Sequence, residues 1–207
     1  MLKHWLSEYL TKRRLYTQAA LKQRYLVIDL ELTGLNAQQH EIVSVAWVII
    51  EDQCIKMSQS QHLINNQVKN LAQSPIFHGI DNDNISQGQS LSSILVSLSE
   101  HFSDTILVCH NAMLDWGFLK LALIKANLTR TPSLILDTLQ IEKKRLQQQG
   151  AVIKSDDLTL SECRRRYQLP EYRAHHALTD AQATAELFLA QCQQISGGKE
   201  LAIKALL

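Results

Sequence analysis

Two kinds of apolar spacing follow one another along this chain. Residues 25–28, 42–50 and 54–64 are short runs rich in apolar and β-branched side chains, the mark of strands. Tight connections, such as the polar Glu51-Asp52-Gln53, predict that these three pair as an antiparallel meander. From residue 91 the pattern changes. Residues 91–102, 112–126, 138–148, 158–167 and 177–195 read as helices, with 105–109 and 134–136 as short buried strands between them. Strands followed by alternating helix and strand predict an α/β chain with a mixed sheet. Residues 65–89 are polar and hold Pro75 and two glycines, so they are predicted as a long loop with one helical turn. Residues 150–157 read as a second loop. Near the start, Leu2, Trp5, Leu6, Tyr9 and Leu10 recur at helical spacing, with Lys12, Arg13 and Arg14 opposite. That predicts an amphipathic helix over 2–21, packed on the domain edge in preference to a membrane or a partner.

Length and composition narrow the class. At about 150 residues per domain, 207 residues suit one domain: an extension over 1–24, a main domain over 25–196 and a short tail over 197–207. With 45% hydrophobic and 20% charged residues, the composition is globular and excludes collagen, a disordered chain and a disulfide-dense mini-protein. The formal net charge of +1 provides no global attraction to polyanions, so nucleic acid would have to be met through a local site. The four cysteines show no paired spacing, which argues against zinc and suits reduced thiols in the cytoplasm. No stretch reaches the roughly 18 apolar residues of a membrane span, and the charged N-terminus lacks the apolar stretch of a signal peptide.

The chemistry lies in acids placed where apolar runs finish. Asp29 directly follows residues 25–28, and Glu31 comes two residues later. In extended backbone both point to one side, where two negative charges require a compensating cation. Asp115 falls in the first turns after the strand over 105–109, where ligands of α/β sheets gather. Asp180 interrupts an alanine- and leucine-rich helix, so it points into a packed surface. Four carboxylates without a His or Cys cluster form an oxygen-only donor set, which suits Mg²⁺ or Mn²⁺. Two such ions can clamp an in-line phosphoryl displacement. His175 lies five residues before Asp180, about 500° along a continuous helix. Both reach one site only if His175 precedes the helix. An imidazole titrating near about 6.5 can then take a proton from water.

Asp29-Leu30-Glu31-Leu32-Thr33-Gly34, His110-Asn111-Ala112-Met113-Leu114-Asp115 and His175-His176-Ala177-Leu178-Thr179-Asp180-Ala181 resemble, in order and spacing, the three motifs of the DEDDh 3′–5′ exonucleases. Their form is most similar to the epsilon subunit of bacterial DNA polymerase III. Phe77-His78-Gly79-Ile80 and Asp137-Thr138-Leu139 are weaker echoes, and the likeness spans about residues 25–194. The resemblance implies a ribonuclease H-like fold with a mixed five-stranded sheet flanked by helices. It implies Asp29, Glu31, Asp115 and Asp180 as ligands of two Mg²⁺ or Mn²⁺ ions, and His175, not His176, as general base. The implied reaction is stepwise release of nucleoside monophosphates from 3′ ends of single-stranded nucleic acid, DNA favoured over RNA, in the setting of DNA replication and repair. Alternatives are an oligoribonuclease-like enzyme for short RNA, and a silent module that binds nucleic acid or a polymerase. A polymerase partner has weak support, since 197–207 does not resemble the tail that ties epsilon to its polymerase. Leu30 and Leu32 stand where the family has threonine, and Leu114 where it has phenylalanine. These changes bear on base stacking and sugar contacts, not on metal ligation.

The remaining candidates are contacts to substrate. Leu30, Leu32 and Phe118 either flank a terminal base or pack in the core. Thr33, His78 and Asn111 are further substrate-binding candidates, although His110 and Asn111 also read as residues that orient their turn. Lys143-Lys144-Arg145 and Arg164-Arg165-Arg166 read as solvated helix faces, with phosphate contact the alternative.

Overall fold

The structure is a computed structural model that describes residues 13–71 and 73–207. The amphipathic pattern over 2–10 lies outside the described residues, and 13–16 are helical. Five strands form one sheet: β1 (Tyr25–Leu32), β2 (Ile42–Glu51), β3 (Cys54–Ile64), β4 (Ile106–Cys109) and β5 (Ile135–Asp137). Their order is β3-β2-β1-β4-β5. The first three pair antiparallel, as the meander predicted, while β4 and β5 add in parallel. The helices are α1 (Pro75–His78), α2 (Asn82–Ser86), α3 (Leu91–Glu100), α4 (Ala112–Lys125), α5 (Thr138–Gln148), α6 (Leu160–Arg166) and α7 (Ala177–Ser196). No helix among the described residues is long and apolar enough to cross a membrane.

The apolar run of β1 reflects burial on both faces, the usual condition of a central strand carrying parallel pairing. Leu26, Ile28 and Leu30 pack with Trp47 of β2, Ile94 and Leu98 of α3, and Phe118 and Leu119 of α4. Tyr25 and Val27 face the other way, onto Phe188 and Cys192 of α7. Each large side chain buried in this way contributes roughly 1.5–3 kcal/mol. Ala177, Ala181 and Ala185 are fully buried at a spacing of four, so α7 turns a narrow face to the sheet.

Three expectations are corrected. First, β1 does not stop at Ile28. It runs through both acids to Leu32, because Asp29 pairs with Ala46 and Glu31 with Ser44 before the register shifts. Second, residues 65–89 are not one loop with a single turn but hold α1 and α2. Ser74-Pro75 opens α1 with proline in the first turn, and Asp81 caps α2 in a capping box with Asn84. Third, 197–207 does not stand apart as a tail. Leu201, Ile203 and Leu206 are buried beside Ala20, and Ala202 bridges to Ala19.

Candidate active site

Asp29 and Glu31 lie where β1 outruns its parallel neighbour. The β1–β4 pairing covers only Tyr25 to Val27, so the last turn of β1 projects past the end of β4. Both acids take the odd-numbered face of the strand, the face that α7 covers. Their partners across the ladder, Ala46 and Ser44, are small and leave space beside the carboxylates. Asp180 sits in the first turn of α7. Asp29, Glu31 and Asp180 each offer a carboxylate oxygen, all within 4.8 Å of one another. Asp115, in the first turn of α4, is 5% exposed and close enough to raise the pKa of Asp29. The structure therefore gathers three of the four acids named from the sequence, Asp29, Glu31 and Asp180, with the buried Asp115 near enough to act on Asp29.

The electrostatics of this cluster are unfavourable as it stands. Burial, followed by repulsion from Asp115, Asp180 and Glu31, pushes Asp29 well above the usual carboxylate range. Burial and Asp180 push Glu31 up to about 7. Asp115 is raised by burial, Asp137 and Glu31. Asp180 is raised by burial, although the His175 N–H and both neighbouring histidines oppose the shift. Oε1 of Glu31 is buried without a hydrogen-bond partner among the described residues. An unpartnered buried oxygen among converging acids fits a hard divalent cation held by oxygen donors.

The turn that presents Asp115 is held by a residue that entered the sequence reading only as a weak echo. Asp137, at the end of β5, accepts from the Asn111 and Ala112 N–H groups at 3.0 and 3.1 Å and from Leu139 N–H at 2.9 Å. It thus caps α5 and pins the start of α4. An aspartate directly before a helical pattern is the signal that identifies it. Asn111 enters α4 at φ 70°, and its side chain makes no cap bond to the helix. His110 bridges Thr138 Oγ1 at 2.8 Å and the Leu158 carbonyl at 2.9 Å, an orienting role.

His175 does precede the helix. It is exposed at φ 67°, a left-handed conformation costly for a non-glycine residue. Its N–H donates to Asp180 Oδ2 at 2.8 Å. Its ring centroid lies 6.2 Å from that of Phe77, an exposed side chain of α1. His176 is instead the N-cap of α7, its ring against His62 at 4.9 Å. His78 is buried. Its Nδ1 accepts from Ile80 N–H at 3.0 Å, its buried Nε2 has no partner among the described residues, and burial and His175 lower its pKa.

The other candidates divide between the site and the core. Thr33 ties the loop after β1 to Glu41 through its N–H at 3.0 Å and its Oγ1 at 2.9 Å. At Gly34 a Cβ would stand 2.4 Å from the His40 ring, so a larger residue there would displace that ring. Leu32 is partly buried beside the core. Leu30 and Phe118 are built into the core, Leu30 on the strand face opposite the acids. The three-arginine run of α6 is a solvated face only in part, at the exposed Arg165. Arg164 is 4% exposed, Arg165 pairs with Glu162 at 2.6 Å, and Arg166 bonds the Asp157 carbonyl at 2.6 Å.

A family model described as "RNase_T: Exonuclease" matches residues 26–188. The chain belongs to this exonuclease family. Among curated proteins, the exonuclease domain is 28% identical over 190 residues to the DNA polymerase III PolC-type of Caldanaerobacter subterraneus subsp. tengcongensis, covering 92% of this chain and 13% of that protein. The PolC-type polymerase of Thermotoga petrophila is 28% identical over 165 residues, covering 80% and 12%. The chain thus spans about an eighth of the length of these relatives. Among solved structures, a 3′-exonuclease that recognises the histone mRNA stem-loop matches with TM-score 0.69 at 14% identity, over 93% of this chain and 73% of that one. Cell-death related nuclease 4 matches with TM-score 0.68 at 19% identity, over 85% and 64%. E. coli exonuclease I bound to a dT13 oligonucleotide matches with TM-score 0.65 at 13% identity, over 81% and 40%. The fold is that of the ribonuclease H-like exonucleases, a mixed five-stranded sheet with flanking helices.

Proposed function

We propose that this exonuclease domain is a divalent-metal-dependent 3′–5′ exonuclease that hydrolyses single-stranded nucleic acid stepwise to nucleoside monophosphates, with DNA preferred to RNA. The carrying observation is the gathering of Asp29, Glu31 and Asp180 within 4.8 Å, with Asp115 near enough to act on Asp29. Four carboxylates repel a phosphodiester, so such a site is useful on nucleic acid only with its charge inverted. Asp29, Glu31, Asp115 and Asp180 would hold two Mg²⁺ or Mn²⁺ ions, which when bound would supply that positive charge and Lewis acidity at the scissile phosphate.

The chain's own groups do the rest. His175, exposed at the entrance to α7, takes the proton from the attacking water and returns it to solvent. Its N–H to Asp180 at 2.8 Å couples the loop carrying the base to a ligand of the cluster. Asn111, Leu32 and Thr33 are the residues assigned to the terminal nucleotide, and the buried His78 backs them. Leu30 and Phe118 act from beneath, as packing. The PolC-type likeness supports DNA and a polymerase setting over the short-RNA alternative.

Incubation with 5′-labelled DNA and RNA oligonucleotides and Mn²⁺ tests this directly. A ladder shortening from the 3′ end, absent with Asp29→Ala, is the expected result. An intact oligonucleotide with the wild-type protein, together with calorimetric silence toward Mn²⁺, would leave the silent binding module as the reading.

A further inference from the structure

Helix α6 ends in three arginines, and the first turns inward. Arg164 is 4% exposed and therefore not available to phosphates. Its guanidinium donates to the Ala183 carbonyl of α7 at 2.5 Å, to the Pro170 carbonyl at 2.8 Å and to Glu186 Oε2 at 2.8 Å. It also lies 4.7 Å over the Tyr172 ring. Glu186 receives two further bonds, from Tyr172 OH at 2.9 Å and Gln182 Nε2 at 3.0 Å. One side chain therefore ties α6 to α7 and grips, at Pro170 and Tyr172, the segment that joins them. Residues 169–173 of that segment carry no regular structure. His175 stands three residues beyond Tyr172, in its strained φ 67° conformation. A planar fork that meets two carbonyls, a carboxylate and a ring at once is specific to arginine; a lysine ammonium cannot reproduce it.

We infer that Arg164, with Glu186 and Tyr172, is a positioning residue for His175, anchoring the loop so that the imidazole stands over the acidic cluster. This rests on the reading of His175 as general base. A base displaced by about an ångström loses much of its effect without weakening the binding of substrate or metal.

The test uses the full chain with Arg164→Lys, and Glu186→Gln as a second variant should the first fail to fold by circular dichroism. Two readouts are taken: hydrogen exchange of residues 168–176, and kcat and KM on a 5′-labelled oligonucleotide with Mn²⁺. The expected result is exchange faster by about tenfold in that segment alone, and kcat lower by about ten- to a hundredfold with KM within about twofold. Arg164→Lys added to His175→Ala is expected to slow the reaction no further. Unchanged loop exchange, an unchanged kcat, a loss carried by KM, or a full additional loss in the His175→Ala background each overturns the inference. A wild-type protein that leaves the oligonucleotide intact overturns the nuclease reading and the inference with it. An active wild type with insensitive variants overturns the inference alone.

Discussion

Glu142 and Glu31 are both buried carboxylates, 0% and 8% exposed, and the chain treats them in opposite ways. Glu142 receives Arg145 at 3.2 and 2.6 Å and Tyr167 OH at 2.8 Å, with Arg166 at 3.7 Å. Burial alone would raise its pKa, but these partners hold it below the usual range. Glu186 behaves likewise beneath Arg164. Glu31 has acids for neighbours, an orphaned oxygen and a pKa pushed up to about 7. Among the described residues Glu142 and Glu186 carry arginine partners, whereas Asp29 and Glu31 of β1, Asp115 of α4 and Asp180 of α7 have none. The contrast indicates that the missing charge comes from outside, as a bound cation.

The sharpest way to break this contrast is one substitution in each region. Asp29→Asn is expected to cut 3′ trimming on the order of a thousandfold while leaving the melting temperature unchanged or higher. Glu142→Gln is expected to do the reverse. It leaves buried arginine charge uncompensated, costs about 3 kcal/mol by urea melts, and slows trimming little. A pair of variants with matching losses would erase the distinction between the regions.

A smaller effect comes from pH. The folded-state pKa of Glu31 is raised, so its contribution is fully present below its unfolded value near 4.5 and is lost as pH rises through about 7. Without metal, Glu31→Gln is therefore expected to exceed wild type in stability by about 3 kcal/mol at pH 8, the gap closing as pH falls toward about 4.5. Glu142 and Glu186 have depressed values, so their contribution is present above about 4.5 and is lost below it. Urea midpoints in EDTA of wild type against Glu31→Gln between about pH 4.5 and 8 check the first sign, and of wild type against Glu142→Gln above and below about pH 4.5 the second.

Asp137→Ala, which strips three backbone N–H groups of their acceptor, is expected to cost about 2 kcal/mol and to weaken trimming through Asp115. The smallest effect is expected at His176, an N-cap with a long 3.4 Å bond to Thr179 N–H. His176→Ala should lower stability by about 0.5 kcal/mol and spare activity, while His175→Ala removes most of it.

Much of the site was legible because its residues are exceptions to their surroundings. Asp29, Glu31 and Asp180 interrupt apolar patterns, and His175 has to stand outside α7 to share a site with Asp180. What escaped depends on pairing between distant segments. β1 continues past Asp29 only because Ala46 and Ser44 extend the ladder opposite it. The burial of Leu201 and Ile203 depends on residues 18–20, far away in the chain. The helices at Pro75 and Asp81 are too short to show periodicity, although their capping chemistry was in view. Arg164 looked like its two neighbours because nothing local distinguishes an arginine that turns inward.

Calorimetric titration of the metal-free protein with Mn²⁺ at pH 8 tests the central claim most directly. Saturable binding of two ions, abolished by Asp29→Asn and untouched by Glu142→Gln, is the expected result. Heat that is absent in the wild type, or that survives in Asp29→Asn, would contradict it.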